Sequence, residues 1–455
     1  MTNTAQRGEQ SGEKRRLAAD SLGPLSVLGI AMAAISPTTS VFLVYGEGLA
    51  HAGTGLVWAF VLGAAIAVSM ACCYAEVGSV FPSAGGAYTI VRRALGPIPG
   101  GVVTVLFLVL GCVSTASILT SAATYLSQVA GGQLPVNWVA AAMMLVITAL
   151  SAARVSPAGW VAVAMLVIEV AAILAFTGFA FAGQVHPAAA FTHPSTVDGS
   201  GLLGGLLAAV VPALFAFNGY DWPLYFAEET RAARRALPRA VLLAAGLCIL
   251  LEVAAVVAAT GAIRDLPAVA AADAPLSVLA RQVMGPVGAQ LLLACVVVAM
   301  FDTGLAANLG YSRILYAAGR DRMWPGPVNR FFGHVTARTR VPGAALAVLA
   351  AGNLLLCLVS SLGALITFTG VVIVAVYALV AVSALVVRVR DRGRAGSFRM
   401  PLWPLPPLVA LAGIGLAVSQ QHLDNLIITG VIVAVALIGY LAARRALPGR
   451  LEGVD

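Results

Sequence analysis

Charged residues are scarce in this chain of 455 residues: Asp, Glu, Lys and Arg together make up 10% of it, and lysine occurs only at Lys14. Soluble domains carry roughly 25% charged residues, so the composition excludes an ordinary soluble protein. Because Lys14 precedes the first apolar run, no lysine is available within a membrane for catalysis or proton transfer. Hydrophobic residues make up 60% of the sequence, which predicts an integral membrane protein.

Motifs for covalent chemistry are also missing. The six cysteines all fall within apolar runs, so we expect no disulfide framework. The five histidines are scattered without metal-ligand spacing. The chain has no P-loop, no Gly-x-Ser-x-Gly motif and no cleavable signal pattern ahead of its first apolar run. These absences predict a protein that is not an enzyme and that uses no cofactor, no metal and no ATP.

Apolar runs of membrane-spanning length recur along the chain. A membrane helix needs about 20 mostly apolar residues. The sequence therefore predicts an all-α integral membrane protein with twelve transmembrane spans, near residues 22–48, 55–81, 97–128, 136–152, 157–183, 201–227, 238–262, 285–317, 342–360, 363–388, 402–420 and 425–443.

The net charge of +8 is distributed over the connections between these spans. Arginines cluster in every second connection, as at 231–239 and 313–340, whereas alternate connections such as 129–135 carry few charges. This is the positive-inside pattern, which predicts cytoplasmic N- and C-termini in a protein of the cytoplasmic membrane. The basic residues therefore indicate a lipid bilayer as partner and no nucleic acid.

Two of the predicted spans carry residues that interrupt a helix. Residues 36–40 of span 1 read SPTTS, in which proline lacks a backbone N–H and the hydroxyls compete for helix hydrogen bonds. Residues 211–226 of span 6 read VPALFAFNGYDWPLYF, with prolines on both sides of an Asn-Gly turn signal. Irregular backbone is tolerated inside a membrane only where it lines a cavity. Both breaks therefore predict a polar cavity at the middle of the membrane.

The positions of the breaks also predict the domain organisation. They lie five spans apart, and interrupted spans at corresponding positions of two halves indicate a transporter binding site. We therefore expect spans 1–5 and 6–10 to form a 5+5 inverted repeat. The chain divides into a disordered cytoplasmic tail (1–20), a transport core of spans 1–10 (21–390), peripheral spans 11–12 (391–445) and a second cytoplasmic tail (446–455).

Three motifs give the sequence a family resemblance. They read YAEVGSVFPSAGGAYTIVRRALGP at 74–97, FAFNGYDWPLYFAEETRAARRALPRA at 215–240 and GYSRILYAAGRDRMWP at 310–325. In this order they resemble the amino acid–polyamine–organocation (APC) superfamily of permeases. The resemblance implies a LeuT-type fold with broken helices 1 and 6, alternating access, and import or exchange of amino acids or amines.

The chain departs from the superfamily pattern at two places. The glycine-rich break of span 1, whose N–H groups take a substrate carboxylate in the superfamily, falls here on Thr38-Thr39-Ser40. The hydroxyls at this position join that contact or replace it. Proton-coupled members often carry a lysine in span 5, and here Glu169 falls near that position. A lysine-based coupling mechanism therefore does not apply unchanged.

The two breaks supply the candidate substrate-binding residues. A half-helix that starts after the span 1 break would direct N–H groups at a carboxylate, whereas a proline kink with hydroxyls bonded to the previous turn is the alternative. The span 6 break would offer carbonyls and aromatic faces to an ammonium group, or its phenylalanines simply pack. Its aspartate would bind a cation or a proton, or cap the second half-helix. These candidates are Ser36, Thr38, Thr39, Ser40, Phe215, Phe217, Asn218, Gly219 and Asp221.

Carboxylates within other spans are candidates for ion coupling. Glu169 in span 5 and Asp302 in span 8 are each surrounded by apolar residues. A carboxylate is costly in a membrane, which makes each a candidate that takes up and releases a proton. The alternatives are a neutral, hydrogen-bonded structural Glu169 and an Asp302 that only fastens span 8 to its neighbours. Glu252 in span 7 has less support from the sequence.

Charged residues at the cytoplasmic span ends are candidates for a gate. Glu76, Arg92 and Arg93 all lie in the first superfamily motif. We expect Glu76 to pair with Arg92 or Arg93 across the cytoplasmic opening. Alternatively, all three are solvated helix ends.

Together these features predict a secondary active transporter that holds a small-molecule substrate between spans 1, 3, 6 and 8. An amino acid permease is the first hypothesis. An amine or polyamine permease or an exchanger is the second, because several acidic groups and the hydroxyl-filled break favour a cation. Protons are the expected coupling ion because Glu169, Asp221 and Asp302 can titrate, although carboxylates also bind sodium. A channel would show a continuous polar stripe and an enzyme a clustered catalytic set, and neither pattern occurs.

Overall fold

The structure, a computed structural model, describes residues 23–83, 85–153, 159–185, 192, 194–195, 201–227, 230–324, 326–336, 341–390, 396–421 and 423–446. The predicted tail at 1–20 lies outside these residues, as does all but the first residue of the tail at 446–455.

Helices account for nearly all of the described chain, and no β-strand element occurs within it. In chain order they are α1 (Pro24–Ile35), α2 (Pro37–Ala52), α3 (Leu56–Val80), α4 (Gly86–Leu95), α5 (Pro97–Val129), α6 (Val136–Ala152), α7 (Gly159–Ala182), α8 (Leu202–Ala216), α9 (Ala233–Gly261), α10 (Leu266–Ala270), α11 (Pro275–Arg320), α12 (Val328–Phe332), α13 (Gly343–Val359), α14 (Leu362–Arg390), α15 (Leu405–Val418) and α16 (Leu423–Ala446). Two 3-10 helices, Gly53–Gly55 and Trp222–Phe226, complete the list.

The apolar helices make this a multi-pass membrane protein. Seven described stretches are long and apolar enough to cross a bilayer, and the first of them, Val27–Val80, covers two of the predicted spans. Four shorter apolar helices, α6, α8, α13 and α15, accompany them. The prediction of an all-helical integral membrane protein is confirmed, whereas the number of twelve crossings and the inverted repeat stay predictions.

The chain breaks between α1 and α2, as the proline of SPTTS leads one to expect. Ser36 adopts a left-handed conformation (φ 49°, ψ 81°), and Pro37 begins α2, where a missing N–H costs no helix hydrogen bond. Helix α2 packs against α5, α7, α8, α9, α11 and α14, so it lies at the centre of the helix assembly. Its first turn is buried although Thr38, Thr39 and Ser40 are polar.

A second break follows α8, which ends at Ala216 and is continued by turns and by the 3-10 helix Trp222–Phe226. Gly219 has φ 125°, a conformation that glycine adopts without strain. A Cβ atom on Gly219 would lie 2.8 Å from Cγ1 and 3.2 Å from Cα of Ile35. The last residue of α1 therefore rests directly on the second break, and the fold brings the two interruptions together.

Candidate functional site

A polar cavity lies where the two breaks meet. This break cavity spans about 420 Å³, open solvent included, and is lined by α1, α2, α5, α8 and α11, with contributions from the second break. Its polar lining consists of hydroxyl and amide groups. The lining residues are Ala34, Ile35, Thr39, Ser40, Leu43, Ser114, Ile118, Phe215, Asn218, Trp222, Thr303, Ala307 and Tyr311.

A second cavity with aromatic walls adjoins the first. This tyrosine cavity spans about 330 Å³, open solvent included, and shares Asn218, Trp222 and Tyr311 with the break cavity. The two cavities therefore have a common wall at the second break. The lining residues are Tyr74, Phe107, Leu110, Asn218, Asp221, Trp222, Tyr225, Tyr311, Ile314, Ile373, Val376 and Tyr377.

The carboxyl group of Glu169 occupies the start of α2. The Ser36 hydroxyl donates to Glu169 Oε1 at 2.6 Å, and the Thr38 N–H donates to the same oxygen at 3.3 Å. The Thr38 hydroxyl donates to the backbone oxygen of Glu169 at 3.0 Å. Because Glu169 is only 7% exposed, these contacts fasten α7 to the first break from within the protein. The side chains of Ser36 and Thr38 thus serve Glu169 and line neither cavity.

Hydroxyl groups connect this carboxyl group to the break cavity. Ser36 Oγ lies 2.6 Å from Thr39 Oγ1, and Thr39 Oγ1 lies 3.1 Å from Thr303 Oγ1 on α11. The Ser40 hydroxyl donates back to the Ile35 carbonyl at 2.9 Å, which is the local bonding expected at a proline kink. Asp302, next to Thr303, is half-buried and lines neither cavity, but it lies within electrostatic range of Glu169.

Asp221 belongs to the tyrosine cavity. It precedes the 3-10 helix, but its side chain makes no capping hydrogen bond there, so the capping role considered from the sequence is not found. Its Oδ2 instead accepts from the Tyr225 hydroxyl at 2.8 Å. Asn218 donates from Nδ2 to the Tyr377 hydroxyl at 2.9 Å. The buried Tyr74 hydroxyl, in the same wall, has no hydrogen-bond partner within the described chain.

The two phenylalanines of the second break have different surroundings. Phe215 lines the break cavity. Phe217 packs edge-on against Phe60 of α3, with ring centroids 5.4 Å apart, and lines neither cavity. Gly219 contacts Ile35 and also lies outside both linings. Of the predicted residues, Thr39, Ser40, Phe215, Asn218 and Asp221 are therefore the ones with access to a cavity.

The predicted pairing of Glu76 with Arg92 or Arg93 is wrong. Glu76 Oε1 pairs with Arg388 at the end of α14, and Glu76 Oε2 accepts from the Met400 N–H at 2.8 Å. Arg92 donates to the Asp321 carbonyl at 3.4 Å, and Arg93 lies over the Phe81 ring at 5.3 Å. The physical reason is that Arg388 and Met400 are far from Glu76 in the sequence but lie beside the end of α3 in the fold. Sequence spacing therefore does not reveal this pairing.

Sequence reasoning gave too little weight to Glu252. This residue of α9 is 0% exposed, and neither carboxyl oxygen has a hydrogen-bond partner in the described part of the chain. It lies within electrostatic range of Glu169. The signal was present in the sequence, since Glu252 interrupts the apolar run of span 7 much as Glu169 interrupts span 5.

The charge around the two cavities has one sign. Neither lining contains an arginine, lysine or histidine, whereas Asp221 lines one cavity and Glu169 bonds next to residues that line the other. No group of three or more His, Cys, Asp and Glu residues that could hold a metal ion occurs where the structure is described. The hydroxyl, amide and carboxyl groups of the two linings can form hydrogen bonds with a small polar or cationic molecule.

Several known proteins are similar to this chain over most of its length. The profile of the family described as "Amino acid permease" matches residues 22–443. An uncharacterized transporter of Mycobacterium tuberculosis is 27% identical over 423 residues, which covers 91% of this chain and 89% of that protein. The branched-chain amino acid permease BcaP of Bacillus subtilis is 25% identical, with 82% of each chain covered. The low-affinity putrescine importer PlaP of Escherichia coli is 26% identical, covering 76% of this chain and 78% of PlaP.

Proposed function

The chain belongs to the amino acid permease family of the APC superfamily, and on that premise we propose that it moves amino acids or amines across the cytoplasmic membrane by alternating access. It is a transporter and not an enzyme. The observation that carries the proposal is the cavity at the two helix breaks, which is lined by hydroxyl and amide groups and surrounded by apolar helices. Irregular backbone at membrane depth is tolerated where it lines such a cavity.

The proposed architecture has twelve crossings. Helices α1 and α2 together form the first, and α8 with the 3-10 helix Trp222–Phe226 forms the sixth. We place the transport core in residues 21–390, with the two halves related as a 5+5 inverted repeat. Helices α15 and α16, within 391–445, form the peripheral crossings, and both termini are cytoplasmic.

The substrate class has two candidates. An amino acid is the first, and its support is a relative that is a branched-chain amino acid permease. An amine is the second, and its support is a relative that is a putrescine importer together with the absence of any cationic side chain from the two cavity linings. Both classes carry an ammonium group, for which Asp221 is the proposed partner.

We propose protons as the coupling ion, with Glu169 as the first carrier and Asp302 as the second. Glu169 accepts hydrogen bonds from residues on both sides of the first break, so a proton added to this carboxyl group would weaken the link between α7 and α2. Helix α2 contributes to the break cavity, so this link provides a route from the proton to the substrate. Sodium remains the alternative, because carboxylates also bind that ion.

Uptake into proteoliposomes tests the proposal. Labelled leucine, putrescine and ethanolamine are offered with and without an inwardly directed proton gradient, in which the outside is more acidic. We expect Thr39→Val and Asn218→Ala to reduce uptake at least tenfold, because both residues line the break cavity. Thr104→Val is the matched control, since Thr104 is buried but bonds to its own helix at Gly100 and lines neither cavity. Wild-type uptake by both cavity variants would show that the site is wrong.

A further inference from the structure

We propose that the transported substrate is an amine without a carboxylate group, whose ammonium group binds Asp221 in the tyrosine cavity. This inference rests on the proposed permease function and decides between its two substrate classes. Two separate observations carry it: the backbone N–H groups at the start of α2 that would hold a carboxylate are already used, and a carboxylate and aromatic faces that would hold an ammonium group are present.

The start of α2 has no N–H group left for a substrate carboxylate. A helix normally begins with N–H groups that lack partners inside the helix, and these attract anions. Here Pro37 has no N–H, and Thr38 donates to Glu169 Oε1 at 3.3 Å. Thr39 donates to the Ser36 hydroxyl oxygen at 3.3 Å. The next residue, Ser40, donates to the Ser36 carbonyl at 2.9 Å.

The anion at this helix end is therefore the protein's own carboxylate. The Ser36 hydroxyl reinforces it with a hydrogen bond of 2.6 Å to Glu169 Oε1. A substrate carboxylate placed in the break cavity would have to displace Glu169 or lie close to it, and Asp302 lies within electrostatic range of Glu169 as well. Like charges at such separations repel, most strongly away from water. Neither cavity lining offers a cationic side chain in compensation.

The tyrosine cavity has the opposite character. Asp221 is only 5% exposed, and the Tyr225 hydroxyl donates to it at 2.8 Å. A buried carboxylate is costly without a positive partner, and an ammonium group would supply one. The Tyr74 hydroxyl in the same wall is buried without a partner and offers an acceptor to an N–H donor.

Aromatic rings surround this carboxylate on several sides. The Trp222 ring packs edge-on against Tyr225 and Tyr311, each at a centroid distance of 5.9 Å. On the other side the Tyr74 ring lies 6.1 Å from that of Tyr377. Aromatic faces attract cations, so these rings would add to the attraction between the carboxylate and an alkylammonium group. From here the rest of an amine would pass Asn218 and Trp222, which both cavities share, into the break cavity.

A matched pair of probes tests the inference. Leucine and 3-methylbutylamine differ only in the carboxylate group, so their comparison isolates it. Binding to the purified protein is measured by thermal stabilisation, and uptake is measured in proteoliposomes with the labelled compounds. We expect 3-methylbutylamine to bind and to be taken up, and leucine to be at least tenfold weaker in both assays.

Two variants assign the result to Asp221. We expect Asp221→Asn to lower the affinity for 3-methylbutylamine at least tenfold. The control Asp265→Asn makes the same substitution on an exposed side chain at the start of α10 and should leave this affinity unchanged. Preferred uptake of leucine would overturn the inference and leave the permease function standing. Unchanged amine affinity in a folded Asp221→Asn protein would overturn the assignment to this cavity. Uptake of neither amines nor amino acids would overturn both the inference and the proposed function.

Discussion

Replacing Glu169 by glutamine is expected to remove the effect of a proton gradient on uptake while the protein stays folded. Glutamine keeps a side-chain oxygen that accepts from Ser36 and Thr38 but carries no charge. A hydrogen bond to a charged group contributes about 1.5–3 kcal/mol, and one between neutral groups contributes about 0.5–1.5 kcal/mol. Removal of a buried charge acts in the opposite direction. The change in the free energy of unfolding should therefore stay within about 1 kcal/mol.

The effect on transport should be much larger and can be calculated. One pH unit across the membrane corresponds to about 1.4 kcal/mol, which is about a tenfold concentration ratio for a substrate that moves with one proton. Proteoliposomes that contain the wild-type protein should therefore accumulate substrate about tenfold when the outside is about one pH unit more acidic than the inside and no membrane potential is present. With Glu169→Gln the substrate should only equilibrate, to a ratio of about one, while exchange of labelled for unlabelled substrate continues.

Two further variants complete this experiment. Thr177→Val changes another buried polar residue of α7 whose hydroxyl bonds to its own helix at Ile173, so it should accumulate substrate like the wild type. Gradient-driven accumulation by Glu169→Gln at the wild-type ratio would refute the assignment of the proton to Glu169. If Asp302→Asn alone abolishes accumulation, the proton carrier is Asp302 instead.

Three other experiments test separate parts of the structure. Gly219→Ala should lower the melting temperature and abolish uptake, because its Cβ would lie 2.8 Å from an Ile35 atom. The control Gly178→Ala, whose Cβ meets nothing within 4 Å, should raise the melting temperature slightly. Equal melting temperatures of the two variants would contradict the close approach of Gly219 to Ile35. Glu252→Leu should raise the free energy of unfolding by about 1–3 kcal/mol, since it removes a buried carboxyl group without partners, and a loss of stability measured by denaturant unfolding would show that the group has one. A double-mutant cycle on thermal stability should give a coupling energy above about 1 kcal/mol for Glu76→Gln with Arg388→Ala and near zero for Glu76→Gln with Arg92→Ala, and the reverse order would refute the Glu76–Arg388 pair.

The features that the sequence predicts are those that local chemistry decides. Proline at 37 and the Asn-Gly pair at 218–219 disfavour a continuous helix wherever they occur, so both breaks are visible in the sequence. Glu169 is visible as a carboxylate in an apolar run. These local signals bring the candidate list close to the observed cavities, since Thr39, Ser40, Phe215, Asn218 and Asp221 line them.

The features that the sequence does not reveal depend on which helices become neighbours. Glu169 lies more than a hundred residues from Ser36, and no spacing predicts that its carboxyl group meets the start of α2. The pair between Glu76 and Arg388 has the same origin, and the nearer arginines of its own motif were the more obvious partners. The tyrosine cavity is assembled from α3, α5, the second break, α11 and α14, so the grouping of its rings appears only in the folded chain.

The contact between the two breaks gives a physical route from the proposed proton site to the proposed substrate site. Glu169 holds Ser36, and the preceding residue, Ile35, rests on Gly219. Gly219 in turn follows Asn218, whose side chain lies in the wall that both cavities share. Packed side chains and hydrogen bonds can carry coupling between sites, and here two non-bonded contacts joined by adjacent residues connect them. We infer that weakening of the Glu169–Ser36 hydrogen bond on protonation shifts the end of α1 against Gly219 and so changes the shape of the shared wall.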